Sequence, residues 1–556
     1  MYVKFLVCLF LFVHSFLFSI EDSETNRILY LAQTGKVSEA LNIYKQKKER
    51  IGKHDFSLLE KLGLIILDQG FKSPDPEIQF LTYFASGISL NEKTLRYLEE
   101  GLKSPIPQHQ LVCLNLLSRY QNDFGNHCIY RAMSSNNLGI RLEAAYILAE
   151  KKDLKAVAHI ESLMNKVPDE LLPLFSILFS LVDSPDSTRA LKKFLIHSST
   201  NVRVASIHSL TKTERDDFIP YFRRMITHSN FSQQEACATA LGKFKDDKSV
   251  LKLENLLNSN HESVKVAALQ SLIHLGHSKH QSVLECLAKE GNLYAIAALA
   301  NCKNVEDLLF ELMQDGNPQI KINAALSLLE LQDSRCLPII KKLLTQDNLF
   351  VLLRQTSPGL SLHYWKATSS PATTKEEQEI IAELTLSVKE DILDKAANLA
   401  ENSFLELAEA LFASQQTNLI PQTTILLMHM QTEKSVNLLK KYVNCVGVPL
   451  TRNFCNLALY RLREKGPYAN NLKNWLLAQQ QDDLIKFREF LPWELREKQT
   501  RHELNPKETS QLLLETIEAF VESGDEDGFD TLLQVIENGN PKNRYALAGF
   551  LLRASQ

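Results

Sequence analysis

The chain has 556 residues, with 62 Lys and Arg against 66 Asp and Glu, 44% apolar residues and nine Cys. This apolar content excludes disorder, and the near balance of charge, without a basic block, leaves no electrostatic footprint for nucleic acid. With 19 Gly and 18 Pro the chain is poor in the residues that strand-to-strand turns need, while Leu, Ala, Glu, Lys and Gln recur, so an all-helical protein is expected.

Met1 to Lys4 form a short basic start, Phe5 to Phe18 are apolar except for His14 and Ser15, and Glu21, Asp22 and Glu24 come next. These are the n-region and h-region of a secretory signal, and the run is shorter than the about 20 residues of a membrane-spanning helix. Residues 1–19 are therefore expected to be a signal peptide, cut after Ser15 or Ser19, with an uncleaved N-terminal anchor as the alternative. A signal implies export to the periplasm or cell envelope, or secretion; membrane contact is expected only for the uncleaved form. The eight later Cys form no CxxC and several fall on apolar helical positions, where Cys acts as a small core residue; their pairing stays open.

Residues 20–104 are expected to form helical hairpins that cap a helical solenoid. Gly35, Ala40 and Tyr44 resemble the first-turn Gly, small residue and Tyr of a tetratricopeptide repeat, although Lys47 and Gly52 depart from that pattern. Leu58 to Leu67 and Ile78 to Leu90 continue as helices.

Residues 105–353 carry an internal repeat. A polar or basic anchor is followed by a small residue three positions on and an apolar residue seven positions on. Arg141 has Ala144 and Leu148, Arg203 has Ser206 and Leu210, Gln234 has Cys237 and Leu241, Lys265 has Ala268 and Leu272, and Lys321 has Ala324 and Leu328. The anchors lie close to multiples of 31 residues apart, and divergent copies start at Gln110, Leu172 and Asn292. Asp153, Asp246 and Asp333, twelve residues after an anchor, mark a polar turn. Pro220 and Pro338, seventeen after an anchor, mark the first turn of a second helix. Leu163, Met225, Leu256, Leu287 and Leu343, twenty-two after an anchor, are expected on its apolar face. Each unit is thus two short amphipathic helices that bury their stripes only by stacking on neighbours. The anchors are expected to bond the turn Asp residues of adjacent units.

Strings such as Val202-Arg203-Val204-Ala205 and Ile320-Lys321-Ile322-Asn323-Ala324-Ala325-Leu326 resemble the short bacterial HEAT-like repeats called PBS-lyase HEAT repeats. The resemblance covers about residues 105–350, and Arg452, Cys455 and Leu459 repeat it once more. It implies an α-solenoid with a concave, partner-binding surface.

The pattern stops at Arg354. Ser357-Pro358-Gly359 and Thr368 to Thr374 have turn and linker composition, so residues 354–374 are expected to be a linker or inserted loop. Tyr364 and Trp365 within it are candidate partner-binding residues, because aromatic side chains anchor interfaces. Residues 375–556 are expected to be helical, degenerate HEAT-like repeats, ending in a helix from Lys542 to Arg553 whose apolar side is either packed or an association surface.

No catalytic constellation emerges. Gly359-Leu360-Ser361-Leu362-His363 lacks the second Gly of a nucleophile elbow. Asp525-Glu526-Asp527-Gly528 fails as a calcium loop at both ends, with Ser523 first and Gln534 where a bidentate Glu is needed. His274, His277 and His280 lie close in sequence, but without a neighbouring carboxylate. The HEAT-solenoid enzyme deoxyhypusine hydroxylase holds iron through several His-Glu pairs; here the pairs are His261-Glu262, in a turn, and His502-Glu503. The expectation is a non-enzymatic scaffold or adaptor, without metal or cofactor, that holds a protein partner on its concave face. The alternatives are a membrane-tethered structural component and, more remotely, a bilin-lyase-like or metal-dependent enzyme. Partner identity and oligomeric state stay open.

Overall fold

A computed structural model describes residues 23–120, 123–345, 351–368, 374–414, 416–445, 447–483, 485–488, 490, 493 and 506–556. The expected signal segment and His502-Glu503 lie outside these residues. The fold is an all-α solenoid of HEAT-like helix pairs, interrupted among the described residues by one two-stranded hairpin. Among the described residues no helix is long and apolar enough to cross a membrane.

Contacts divide the chain into two compact units: Met133–Leu438 with Leu491–Lys498, and Met1–Ala132 with Leu439–Phe490 and Gln499–Gln556. The repeat period, by contrast, divides it near residues 104 and 374. Period and packing divide the chain in different places because helices far apart in sequence pack together in the unit that holds both ends of the described chain.

In the unit of Met133–Leu438 the anchors stand on the first helix of each pair, or at its cap in the case of Asn292: Leu138–Glu150, Leu172–Val182, Thr200–Lys212, Phe231–Lys243, Glu262–His274, Leu293–Leu299 and Pro318–Glu330. Asn137, Asn230, Asn292 and Asn317 cap four of them, each accepting a backbone N–H from the first turn. First helices stack directly on one another, and each shorter second helix packs against the first helix that comes after it. The small and apolar residues three and seven after the anchors are wholly buried, including Ala144, Cys237, Ala268, Ala324, Leu148, Leu210, Leu241 and Leu328. A small side chain at the contact lets helix axes approach closely, so the anchor spacing sets the stacking.

Three features of the repeat differ from expectation or add to it. The residue with left-handed φ that ends the first helix recurs eleven after the anchor, at Lys152, Asp183, Glu214, Lys245, Gly276 and Gln332, and again at Arg463 after Arg452. On the second helix the fully buried position is nineteen after the anchor, at Ile160, Phe222, Leu253, Leu284 and Ile340. Of the five positions twenty-two after an anchor, Leu163 and Leu256 are buried, while Met225, Leu287 and Leu343 are only partly covered. The turn Asp residues are not bonded by the anchors: Asp246 accepts from Arg223 on the second helix and from Ser249, and Asp333 from Arg335. Arg203 instead reaches Gln233 Oε1 at 2.8 Å and the carbonyls of His197 and Ser198, tying its helix start to the next repeat.

The turn-rich segment after the repeats is a β-hairpin rather than an irregular linker. β1 (Val351–Thr356) pairs antiparallel with β2 (His363–Thr368), with Arg354 opposite Trp365. Both strands are rich in β-branched, aromatic and long side chains, and Ser357-Pro358-Gly359 turns the chain between them.

In the other unit, Tyr44 is buried on helix Val37–Ile51, and its hydroxyl accepts the Asp55 N–H at 3.1 Å. The helix Asn543–Arg553 packs against Phe56–Phe71 and Pro76–Ile88, with Leu551 and Leu552 wholly buried, so its apolar side is packed rather than free. Gly549 sits where a Cβ would lie 2.6 Å from the Ala85 carbonyl oxygen. Helix propensity alone favours Ala over Gly by about 1 kcal/mol in a helix interior. The backbone contact opposes it, and overpacking typically costs about 1–3 kcal/mol. Gly549→Ala is therefore expected to lower the urea midpoint of this unit; a raised midpoint would show that the two helices can separate without cost.

Candidate functional site

The hairpin is fastened to the first helices by side chains that read its backbone. β2 lies against Leu293–Leu299 and Pro318–Glu330. Asn323 Oδ1 accepts the Trp365 N–H at 2.8 Å, and Asn323 Nδ2 donates to the Trp365 carbonyl at 2.8 Å. Gln319 repeats this two residues along, donating to the Ala367 carbonyl at 2.8 Å and accepting its N–H at 3.1 Å. An amide offers donor and acceptor side by side, which is the complement of an extended backbone. At the turn, the buried Glu235 carboxylate accepts from Ser361 Oγ at 2.6 Å, from the Gly359 N–H at 3.1 Å and from Ser357 Oγ. A buried carboxylate is tolerable only with such donors. Gly359 permits the approach, since a Cβ there would lie 2.6 Å from Glu235 Cδ and 2.7 Å from the Ser232 carbonyl.

Successive side chains of a strand face opposite sides, and this separates the two aromatic candidates. Tyr364 turns toward the Leu293–Leu299 helix and meets Tyr294 edge to face at 5.1 Å. Trp365, with Arg354 opposite it and His363 two residues before, faces a cavity of about 950 Å³. The structure thus brings one of the pair, Trp365, to an open site and spends the other on packing.

The cavity is walled by the hairpin, by the first helices Leu138–Glu150, Leu172–Val182 and Thr200–Lys212, and by the helix Lys375–Ala396. Two of its cations are neutralised: Arg215 pairs with Asp183 at 2.8 Å, and Lys395 with Asp391 at 3.0 Å and with Glu330. Lys152, Lys212 and Arg354 also line it and form no ion pair with a described carboxylate. Arg354 approaches His363 Nδ1 at 3.3 Å, and Glu150 accepts from the Tyr146 hydroxyl at 2.7 Å. A second aromatic wall is made by Tyr146 and Trp493, stacked at 4.4 Å with 2° between their planes. The Trp493 N–H is held by the buried Glu143 at 2.9 Å. Aromatic walls and surplus positive charge are the chemistry of an acidic ligand carrying an apolar or aromatic group.

Burial, then Arg354 and Lys395, push the His363 imidazole down to about 4. His208 is lowered by burial and by Lys212, Arg354 and Lys243. Both are neutral at pH 7. Neither Trp493 nor the amide readers Gln319 and Asn323 were expected from the repeat; a buried Glu or Asn one or two positions after an anchor, on an otherwise apolar or small face, is the sequence signal that marks Asn323, Glu235 and Glu143, while Gln319, two before its anchor, and Trp493 carry none.

The other residues weighed for chemistry do not assemble. His261 stacks on Phe231 at 4.1 Å, and His280 lies 3.7 Å from Glu254. Among the described residues no group of three or more His, Cys, Asp and Glu could hold a metal ion. The described Cys are unpaired, and Cys113, Cys237 and Cys455 are core residues whose burial pushes their thiols up. The acidic turn at Asp525 caps a helix, accepting the Gly528 N–H at 2.9 Å.

The HEAT repeats family matches residues 188–273, which include the Arg203 and Gln234 repeats. No curated protein matches the chain. Among solved structures, UNC-45 from Drosophila melanogaster is 12% identical over 96% of this chain and 92% of its own, with a TM-score of 0.29. Kap95p, solved with RanGDP, is 10% identical over 89% of this chain and 72% of its own, with a TM-score of 0.31. Kap121p, bound to the extreme C-terminus of Cdc14p, is 10% identical over 94% and 79%, with a TM-score of 0.28.

The lowered His363 makes stability depend on pH. Between its folded value of about 4 and the usual unfolded value near 6.5, the unfolded chain binds a proton that the folded chain does not. Stability contributed by neutral His363 is thus present above about 6.5 and is lost as pH falls toward about 4. Between pH 7 and pH 5 the thermal midpoint should fall less in His363→Gln than in the natural chain; equal falls would contradict the assignment.

Proposed function

We propose that the protein is a binding scaffold, acting without catalysis, that holds an acidic segment of a protein partner in the cavity beneath the hairpin. The observation that carries this reading is the set of cations without ion pairs to described carboxylates, Lys152, Lys212 and Arg354, facing the same space as Trp365. The three cations are exposed and give charge complementarity to an acidic segment, and an aromatic wall supplies the apolar contact that anchors an interface. The general protein-binding role fits a HEAT-like solenoid, whose stacked helices offer a long continuous surface.

The hairpin lies against Leu293–Leu299 and Pro318–Glu330, part of the row of first helices that would otherwise be open to a partner. Binding on this unit is accordingly assigned to the cavity rather than to the full row of anchors, of which Arg203 is engaged in the repeat. Export, with action in the periplasm, the envelope or outside the cell, rests on the apolar run from Phe5 to Phe18; a retained anchor would make the same scaffold a tethered one.

The test uses the full chain, with a photo-crosslinking amino acid at position 365 and a control at the exposed Leu251. Position 365 should capture one defined protein that position 251 does not, and mass spectrometry of the product should place the link in an acidic stretch and read a mature N-terminus near residue 16 or 20. Lys212→Glu with Arg354→Glu should reduce capture at least tenfold. Capture unaffected by the charge reversal would overturn the acidic-segment reading, and an intact Met1 would overturn export.

A further inference from the structure

The first helices of this chain hold non-helical backbone, a strand residue at Trp365 and turn residues at Gly359 and Trp493, by one recurring device. Glu143 stands two positions after the anchor Arg141 and accepts the Trp493 N–H at 2.9 Å. Glu235 stands one after Gln234 and accepts the Gly359 N–H at 3.1 Å. Asn323 stands two after Lys321 and both accepts from and donates to Trp365 at 2.8 Å. All three side chains are buried, at 0%, 0% and 1% exposure, and each is satisfied by the backbone of a non-helical segment of the same chain.

The unit that contains Leu439–Phe490 has a fourth copy of this arrangement. Helix Pro449–Arg461 carries the anchor Arg452, with Cys455 and Leu459 wholly buried three and seven positions on. The residue one after the anchor is Asn453, only 3% exposed. Its side-chain amide makes no hydrogen bond with any described residue, and it lines an open pocket of about 690 Å³ between this helix and Tyr468–Gln479. The neighbouring amides are engaged, Asn471 Nδ2 donating to Asn456 Oδ1 at 2.9 Å and Asn456 Nδ2 to the Arg452 carbonyl at 2.9 Å. Trp475 lines the same pocket, the Arg452 guanidinium pairs with no described carboxylate, and none of the described lining residues is acidic. The Asn453 amide opens into the pocket with its donor and acceptor side by side and unengaged by protein, which is the complement of a peptide backbone.

We propose that this pocket is a second binding site, which takes an extended protein segment by its backbone: Asn453 bonds a peptide N–H and C=O, Trp475 covers an apolar side chain, and Arg452 pairs with an acidic one. The occupant is a protein segment because the three filled copies of the device all hold peptide backbone. The site lies in a different unit from the cavity beneath the hairpin, so each can fail without the other.

The experiment pans a library of random twelve-residue peptides on the full chain and measures the affinity of the enriched peptides by calorimetry. Enriched sequences should contain Asp or Glu beside an apolar residue. Asn453→Leu should weaken them at least tenfold while its thermal midpoint stays equal or rises, because the substitution removes no hydrogen bond to a described residue. Lys212→Glu with Arg354→Glu should leave their affinity unchanged. If Asn453→Leu lowers the midpoint, Asn453→Asp, which keeps the shape and the acceptor but loses the donor, replaces it, and the same tenfold weakening is expected. Enrichment of no peptide, or equal affinity for the natural chain and the Asn453 variant, would overturn the proposal. So would an oligosaccharide array in which a glycan binds and depends on Asn453, since neutral amides beside a Trp can also meet sugar hydroxyls.

Discussion

The close stacking of first helices is the constraint on which the rest of this structure depends. It is set by small residues three positions after each anchor, such as Ala144, Ser206, Cys237 and Ala324, which bring successive helices together along a row. Ser206 shows how closely the rows meet, with its hydroxyl 2.9 Å from that of Ser176 on the preceding first helix. Along the row, Glu235 and Asn323, one and two positions after their anchors, bond a segment of chain outside it, whereas Asn453 at the matching place bonds no described residue.

Those bonds account for the hairpin. Its two strands would be marginal alone. Glu235 at the turn and the Gln319 and Asn323 amides along β2 supply the missing partners, from repeats far apart in sequence. Docking one face of the hairpin sends Tyr364 into the packing, while strand alternation sends Trp365, Arg354 and His363 to the other side. The same contacts that bury the backbone edge of β2 therefore create the aromatic and cationic wall of the cavity.

The helix pairs were legible in the chain because their signals are local: the 31-residue spacing, the Pro at the second helix and the Asp in the turn all act within one repeat. Trp365 was legible as an aromatic residue outside the repeat. The hairpin was not, because a short strand pair beside Ser357-Pro358-Gly359 reads as linker composition, and its main support, Glu235, lies more than a hundred residues away. The packing of Asn543–Arg553 against Phe56–Phe71 and Pro76–Ile88 was hidden for the same reason, as no period links Gly549 to Ala85. Asn453 carried a signal that only the structure makes readable, namely a polar residue next to an anchor on a buried face.

The central claim is that first-helix side chains hold extended backbone as firmly as a neighbouring strand does. Native-state amide hydrogen exchange resolved to single residues tests it at Trp365 and Ala367, whose N–H groups point away from β1 and toward Asn323 and Gln319. The account predicts that these two amides exchange as slowly as those of Tyr364 and Lys366, and that Asn323→Ala speeds Trp365 selectively. Exchange of Trp365 and Ala367 at the rate of an open loop would contradict it.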